Sequence, residues 1–381
     1  MPLDPITLTQ SLIQRPSVTP RDNGCLDLVS HLLEEMGFTC HRLPFGEVDN
    51  LYARLGTFGS NFCFAGHTDV VPVGDISKWS VDPFGGTLKD GCVYGRGAVD
   101  MKGGIACFIA AVSEILAKGP FKGSISLLLT SDEEGPAHDG TIKVIEWLKS
   151  KGETLSACLI GEPTNPNELG QMIKVGRRGS LNAKITITGR SGHVAYPHFA
   201  INPIPPLLDY LQNLLAKPLD EGIEDFDPSN LEITSVDVGN PTTNVIPDTA
   251  TAGLNIRFNP AHTGQSLTAY LNSALEKTKS KHDVKWLLDT KTSGEAFLTN
   301  HSVLRELVAD AVQEITGKVP EFSTSGGTSD ARFLKDICPV VEFGLINAEA
   351  HQIDEKVRVE DLKMLTKIYV NILENSAVCK F

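Results

Sequence analysis

Short apolar runs alternate along this chain with longer segments of helical periodicity. NFCFAGHTD (61–69), SISLLLT (124–130), SACLIGE (156–162) and PVVEFGL (339–345) are almost continuously apolar and close on polar turns. That is the pattern of strands buried on both faces. Residues 6–15 and 23–37 read as helices, the second closed by Gly37. TIKVIEWLKSKG (141–152) and VEDLKMLTKIYVNILENSAV (359–378) also have helical spacing. GGIACFIAAVSEILAKG (103–119) is apolar on most sides, which predicts a deeply buried helix. Strands and helices taking turns in this way predict an α/β layer with a mostly parallel central sheet.

The middle of the chain has a different pattern. SLNAKITITG (180–189) alternates strictly, with Leu181, Ala183, Ile185 and Ile187 on one face. A helix at 203–216, strands at 231–239 and 249–259, a helix at 264–279 and a strand at 283–289 follow. The order β-α-β-β-α-β is the split βαβ arrangement of ferredoxin-like α+β domains. Such a sheet carries both helices on one face and leaves the other to water or a partner, a hint of dimerisation. The expected organisation is an α/β domain (1–178 and 293–381) interrupted by an α+β insert (179–292). Two consecutive domains followed by a third are the alternative.

At 381 residues the chain is long enough for two or three domains. Its net charge of −13 argues against nucleic-acid binding and suits sites that hold cations. No apolar stretch approaches the ~20 residues of a membrane span, and the N-terminal MPLDPITLTQSLIQRPSVTP lacks the pattern of a signal peptide. The eight cysteines contain no CxxC, and Cys63, Cys107, Cys158 and Cys338 lie in apolar segments. Reduced, buried thiols in a cytoplasmic protein are the expectation.

Chemistry gathers where the strands end. In open α/β sheets, ligands bind beyond the carboxyl ends of the strands. His67 and Asp69 (GHTD), Glu133 and Glu134 (SDEEG), Glu162 (GEPT) and His351 (EAHQIDE) follow four strands, and Asp100 (YGRGAVDMKGG) precedes the buried helix. Each motif alone reads more readily as a solvated turn. Together, imidazoles and carboxylates suit zinc or a similar divalent ion. A carboxylate can bridge two such ions, so Asp100 is the candidate bridge. His67 and Glu162 complete one site, and Glu134 and His351 the other. Adjacent side chains on an extended chain point apart, which leaves Glu133 free to act as a general base. Asp69 is placed to orient His67. Asp132 receives no role. The remaining histidines, His193 aside, are expected to be surface or locally bonded groups. Other chemistries lack their signatures: there is no HExxH, GxSxG or GxxxxGK[ST], and GRGAVD (95–100) lacks the third glycine of a dinucleotide loop.

GHTDVVP, YGRGAVDMKGG, SDEEG, GEPT and the late histidine resemble the co-catalytic zinc aminoacylases and carboxypeptidases over the whole chain. The resemblance implies a zinc-exopeptidase-like catalytic domain with a ferredoxin-like dimerisation domain inserted. It also implies two Zn²⁺ per subunit (Co²⁺ as an alternative), a homodimer formed through the insert, and a cis peptide at Asp100–Met101. His193, in GRSGHVAYPH, would enter the partner subunit's site and hold the oxyanion. Three longer blocks, at 174–198, 244–259 and 323–333, resemble the branch that removes a succinyl group from an N-acylated diamino diacid. A related acetylornithine deacetylase or metallo-dipeptidase is the alternative, and a metal-binding module without activity is the non-enzymatic one. The substrate's carboxylates need cations or amides, for which Arg178, Arg257, Asn244 and the small-residue loop Ser325, Gly326, Gly327 and Thr328 are the candidates. Arg177 reads equally as a member of a surface ion pair.

Overall fold

The computed structural model describes residues 2–282, 284–300, 302–377, 379 and 381. His301, expected to be a surface histidine, lies outside the described residues. Two compact units emerge. One comprises the chain up to Val175, Thr299–Ser323 and the chain from Ser329 onward; the other comprises Gly176–Leu298 and Thr324–Thr328. The insert expected over 179–292 falls within the second.

In chain order, the strands that matter are β1 (Thr39–Arg42), β2 (Asn50–Leu55), β3 (Asn61–His67), β4 (Ser124–Thr130), β5 (Ala157–Ile160), β6 (Met172–Lys174), β7 (Gly179–Thr188), β8 (Asn230–Asp237), β9 (Thr249–Phe258), β10 (Lys285–Gly294), β11 (Glu321–Ser323) and β12 (Val340–Glu342). The helices are α1 (Pro5–Ile13), α2 (Cys25–Glu35), α3 (Lys102–Lys118), α4 (Thr141–Lys151), α5 (Ile204–Leu215), α6 (Gly264–Lys279), α7 (Val303–Thr316) and α8 (Val359–Ser376).

The first unit is built on an eight-stranded sheet in the order β1-β2-β4-β3-β5-β12-β6-β11. Its centre, β4-β3-β5-β12, is parallel throughout, and β6 pairs in parallel with β11. Antiparallel pairs occur at β1-β2, β2-β4 and β12-β6. The four central strands therefore bring their carboxyl ends to one edge. Every residue of β3, β4 and β5 is buried, as their unbroken apolar sequences predict. Phe64 of β3 stacks on Phe108 of α3 at 4.2 Å between ring centroids and meets Tyr369 of α8 edge-on. Strands β1, β2, β6 and β11 and helix α7 were not anticipated. The strands are short or lack a clean period and are recognisable only by what they pair with; α7 does carry a helical period, with Leu304, Leu307, Val308, Ala311 and Val312 buried between a Ser302 N-cap and Gly317.

The second unit carries a four-stranded antiparallel sheet in the order β8-β9-β7-β10. The alternation read in β7 is real: Leu181, Ala183, Ile185 and Ile187 are buried and join Leu254, Ile256, Phe258, Tyr210, Leu267 and Leu271 in one core. A capping box between Thr263 and Ser266 starts α6.

Helix α3 lies very close to the edge where the central strands end. Gly103 makes that approach possible, because a Cβ there would fall 2.4 Å from the Ala98 carbonyl oxygen and 2.8 Å from Leu345 Cδ1. Alanine favours a helix over glycine by ~1 kcal/mol, whereas overpacking against backbone costs ~1–3 kcal/mol. With contacts this short the cost lies towards the upper end, so Gly103→Ala is expected to lower stability by a net of up to ~2 kcal/mol, measured by urea unfolding. Unchanged or increased stability contradicts this packing.

Candidate metal centre

The carboxyl ends of the four parallel strands and the loops after them supply four of the side chains, and Asp100 comes from the segment just before α3. His67 closes β3; its Nε2 lies 3.2 Å from Asp100 Oδ1 and 3.7 Å from Glu162 Oε1. His351 Nε2 lies 3.2 Å from Asp100 Oδ2 and 2.8 Å from Glu134 Oε1. Asp100 thus presents one oxygen to each histidine. In each set, His67–Asp100–Glu162 and Asp100–Glu134–His351, one ligand atom per residue lies within 4.8 Å of the others. Nitrogen and carboxylate donors in threes, with a shared carboxylate, fit two divalent cations.

Burial sharpens that fit. His67 and Asp69 are sealed from solvent, and Asp100, Glu134 and Glu162 are only 12–13 % exposed at their side chains. Desolvation, and then the charge of Asp100, push the Glu162 carboxyl well above its ordinary range. Burial raises Glu133 to about 8, with Asp330, Glu134 and Asp100 adding to it against the opposing charge of His67. Burial also opposes ionisation of Asp100, but hydrogen bonds from both histidines outweigh it and hold that carboxyl below its ordinary range. His351 is raised to about 10 by its hydrogen bonds to Asp100 and Glu134. Acids crowded in this way require positive charge nearby.

The loops that carry the candidate ligands differ in detail from the expectation. Glu133 and Glu134 sit in a turn rather than on extended chain, so strand alternation is not what separates them. Their main-chain amides donate to Asp69 Oδ1 and Oδ2, at 3.3 and 3.1 Å. His67 Nδ1 makes its short contact, 2.9 Å, with the Asp69 carbonyl oxygen; the Asp69 carboxylate is 3.6 Å away. Asp69 therefore fixes His67 mainly through its backbone and fixes the Glu133–Glu134 turn through its side chain. Asp132 is not idle: its Oδ2 accepts from the amides of His138 and Asp139 at 2.9 and 3.1 Å and shapes the loop after the turn. Asp330, buried and bonded to the Thr141 hydroxyl at 2.5 Å, is a further acid beside Glu133. A lone aspartate after GGTS gives no sign of this in sequence. The peptide Asp100–Met101 is cis. His351 has φ of +62°, a strained conformation for a residue with a side chain.

The remaining candidates lie in the second unit. His193 is exposed, and its Nδ1 accepts from the Ala195 amide at 3.1 Å. His193 pairs with Val245 across a two-residue ladder, next to Asn244. Arg178 donates to Asn230 Oδ1 at 3.0 Å. Among the described residues, Arg257 Nη1 is buried without a hydrogen-bond partner, and burial and the neighbouring Arg178 depress its pKa. Arg177 is buried and donates to the Ser325 carbonyl at 3.1 Å, which makes it a brace for the Ser325–Thr328 loop. Among the described residues, no helix is long and apolar enough to cross a membrane.

Residues 63–375 match the Peptidase family M20/M25/M40, and the chain belongs to that family. It is 59 % identical over 377 residues to a protein of Rhodospirillum centenum named succinyl-diaminopimelate desuccinylase, covering 97 % of each chain. Two solved structures share the fold. An M20 family metallo-carboxypeptidase from Sulfolobus solfataricus superposes with a TM-score of 0.80 at 16 % identity, covering 99 % of this chain and 100 % of that one. A dinuclear metal binding peptidase of the M20 family from Bacillus subtilis gives 0.73 at 17 % identity, covering 98 % and 97 %.

A metal-ligating imidazole must be neutral, whereas a histidine held at about 10 is protonated near neutral pH. Loading stripped protein with Zn²⁺ near neutral pH is therefore expected to release at least about one proton per chain, and apparent affinity should fall as pH falls. Calorimetry in buffers of different ionisation enthalpy measures this. Heats that do not depend on the buffer contradict it.

Proposed function

We propose that this chain hydrolyses N-succinyl-L,L-2,6-diaminopimelate to succinate and L,L-2,6-diaminopimelate, a step towards lysine. The choice of substrate is carried by the 59 % identity to the Rhodospirillum centenum relative of that name. The chemistry rests on the two donor sets that share Asp100, with Glu133 beside them.

His67 and Glu162 would hold one ion and Glu134 and His351 the other, with Asp100 shared between the two sets; zinc suits these donors, and cobalt is the alternative. When bound there, two divalent ions would supply Lewis acidity towards the acyl carbonyl and the attacking water. Glu133 takes the proton from that water and returns it to the leaving amine. Its raised carboxyl suits both roles, and positive charge alongside lowers it again and favours the carboxylate that accepts the proton. Asp69 keeps Glu133 and Glu134 in register through their amides.

The second unit forms the homodimer, and His193 of one subunit serves the site of the other. Because Nδ1 accepts the Ala195 amide, the neutral imidazole carries its proton on Nε2 and can donate to the developing oxyanion. Arg178, Arg257, Asn244 and the Ser325, Gly326, Gly327, Thr328 loop receive the substrate's carboxylates. The unpartnered Arg257 guanidinium nitrogen, with Arg178 beside it, favours an anion there. A cytoplasmic location accords with a substrate of this kind.

The test is a panel of N-succinyl-L,L-diaminopimelate, N-acetylornithine and simple dipeptides, with and without chelator. Chelator-sensitive turnover, with kcat/KM for the succinyl substrate greater by about 10² or more, is expected. Preference for acetylornithine or a dipeptide overturns the assignment. Glu133→Gln is expected to lower kcat by about 10²–10⁴ while metal content and oligomeric state stay unchanged. Wild-type turnover in that variant removes Glu133 as the base. His193→Ala is expected to lower kcat by about 10²–10³ with a smaller effect on KM. An unchanged kcat contradicts the oxyanion role.

A further inference from the structure

A buried ion pair lies behind the metal centre and takes no part in the chemistry described above. Arg96 Nη1 donates to Glu355 Oε2 at 2.7 Å, and the two side chains are 3 % and 0 % exposed. Burying two charges is costly even when they are paired, so fold stability alone is a weak reason to keep them. Their other partners give a stronger one. Glu355 Oε1 accepts from the amides of Val99 and Asp100 at 2.9 and 3.3 Å. Arg96 Nη1 also donates to the Gln352 carbonyl at 3.1 Å, and Nη2 to the carbonyls of His351 at 3.3 Å and Pro72 at 3.5 Å. The guanidinium lies over the Trp79 ring, 5.3 Å from its centroid.

The glutamate thus holds the backbone of Asp100, and the arginine holds the backbone of His351. The ion pair joins those two grips. Asp100 Oδ2 and His351 Nε2, 3.2 Å apart, are the atoms that must admit a cation between them. The left-handed conformations of His351 and Asp354, φ +62° and +59°, lie within the segment that this pair restrains. His67 and Glu162 receive no direct hydrogen bond from either residue among the contacts described. We propose that Arg96 and Glu355 are positioning residues that set the Asp100–His351 spacing, and hence the affinity of the Glu134–His351 metal position in particular. This rests on reading the cluster as a two-metal centre.

The experiment titrates Co²⁺ into stripped wild type, His351→Ala, Arg96→Lys and Glu355→Gln, followed by calorimetry and by the cobalt d–d absorption. Far-UV circular dichroism and unfolding curves run in parallel. Glu355→Gln can still accept the two amides but presents an amide to Arg96. Arg96→Lys keeps the charge but loses the planar fork that reaches His351 and Gln352. Wild type is expected to bind two ions, and His351→Ala supplies the signature of a lost Glu134–His351 position. Both positioning variants should reproduce that signature in part. One ion should bind with affinity within about threefold of wild type and the other about 10–100-fold more weakly, with an altered cobalt spectrum. Equal weakening of both ions, or two wild-type affinities in both variants, overturns the proposal while leaving the two-metal reading intact. A wild-type chain that binds fewer than two ions overturns the two-metal reading, and this proposal with it. If Glu355→Gln does not fold, Arg96→Lys decides; if neither folds, the pair serves the fold and the proposal is wrong.

Discussion

Carboxylates packed at the edge of an apolar sheet repel one another and resist ionisation unless positive charge is supplied at short range. Asp100 is where this constraint is resolved. One of its oxygens faces His67 and the other His351, and the carboxylates of Glu134 and Glu162 close the two flanks. The acids beyond them, Asp69, Glu133 and Asp330, are all pushed upward by burial. Such a group is stable as a receptacle for cations and unstable as a plain core. The remaining features of the first unit follow from the need to bring five side chains, remote in the chain, to that one point.

The fold meets the need with four parallel neighbours, β4-β3-β5-β12, whose carboxyl ends share an edge. Each strand delivers a ligand or a ligand-bearing loop, and the buried helix α3 places Asp100 at its own start. Precision comes from main-chain hydrogen bonds rather than from the strands. Asp69 pins the Glu133–Glu134 turn, Asp132 pins the loop beyond it, and Glu355 with Arg96 pins Asp100 and His351. Carboxylates that accept backbone amides therefore recur behind those of the candidate metal centre.

Much of this was legible in the sequence, for identifiable reasons. β3, β4 and β5 are unbroken apolar runs that need no partner to be recognised, and the polar residues just after them are the ones that converge. β7 alternates so regularly that its buried face was read residue by residue. The losses are equally specific. β1, β2, β6 and β11 owe their existence to pairing, which local pattern does not encode. The Glu133–Glu134 separation was ascribed to strand alternation, whereas a turn held by Asp69 produces it. Arg96 sits between two glycines and Glu355 in an acidic loop; each looks like a solvated charge until the fold brings them to 2.7 Å. Arg177 reads in sequence as a substrate ligand or a surface ion pair, whereas the structure buries it against the Ser325 carbonyl.

The central claim is that Asp100 bridges two cations. X-ray diffraction from zinc-loaded crystals, with anomalous data collected at the zinc edge, tests it most directly. The account predicts two peaks about 3.5–4 Å apart, with one Asp100 oxygen on each. A single peak, or two peaks of which Asp100 touches only one, would contradict it.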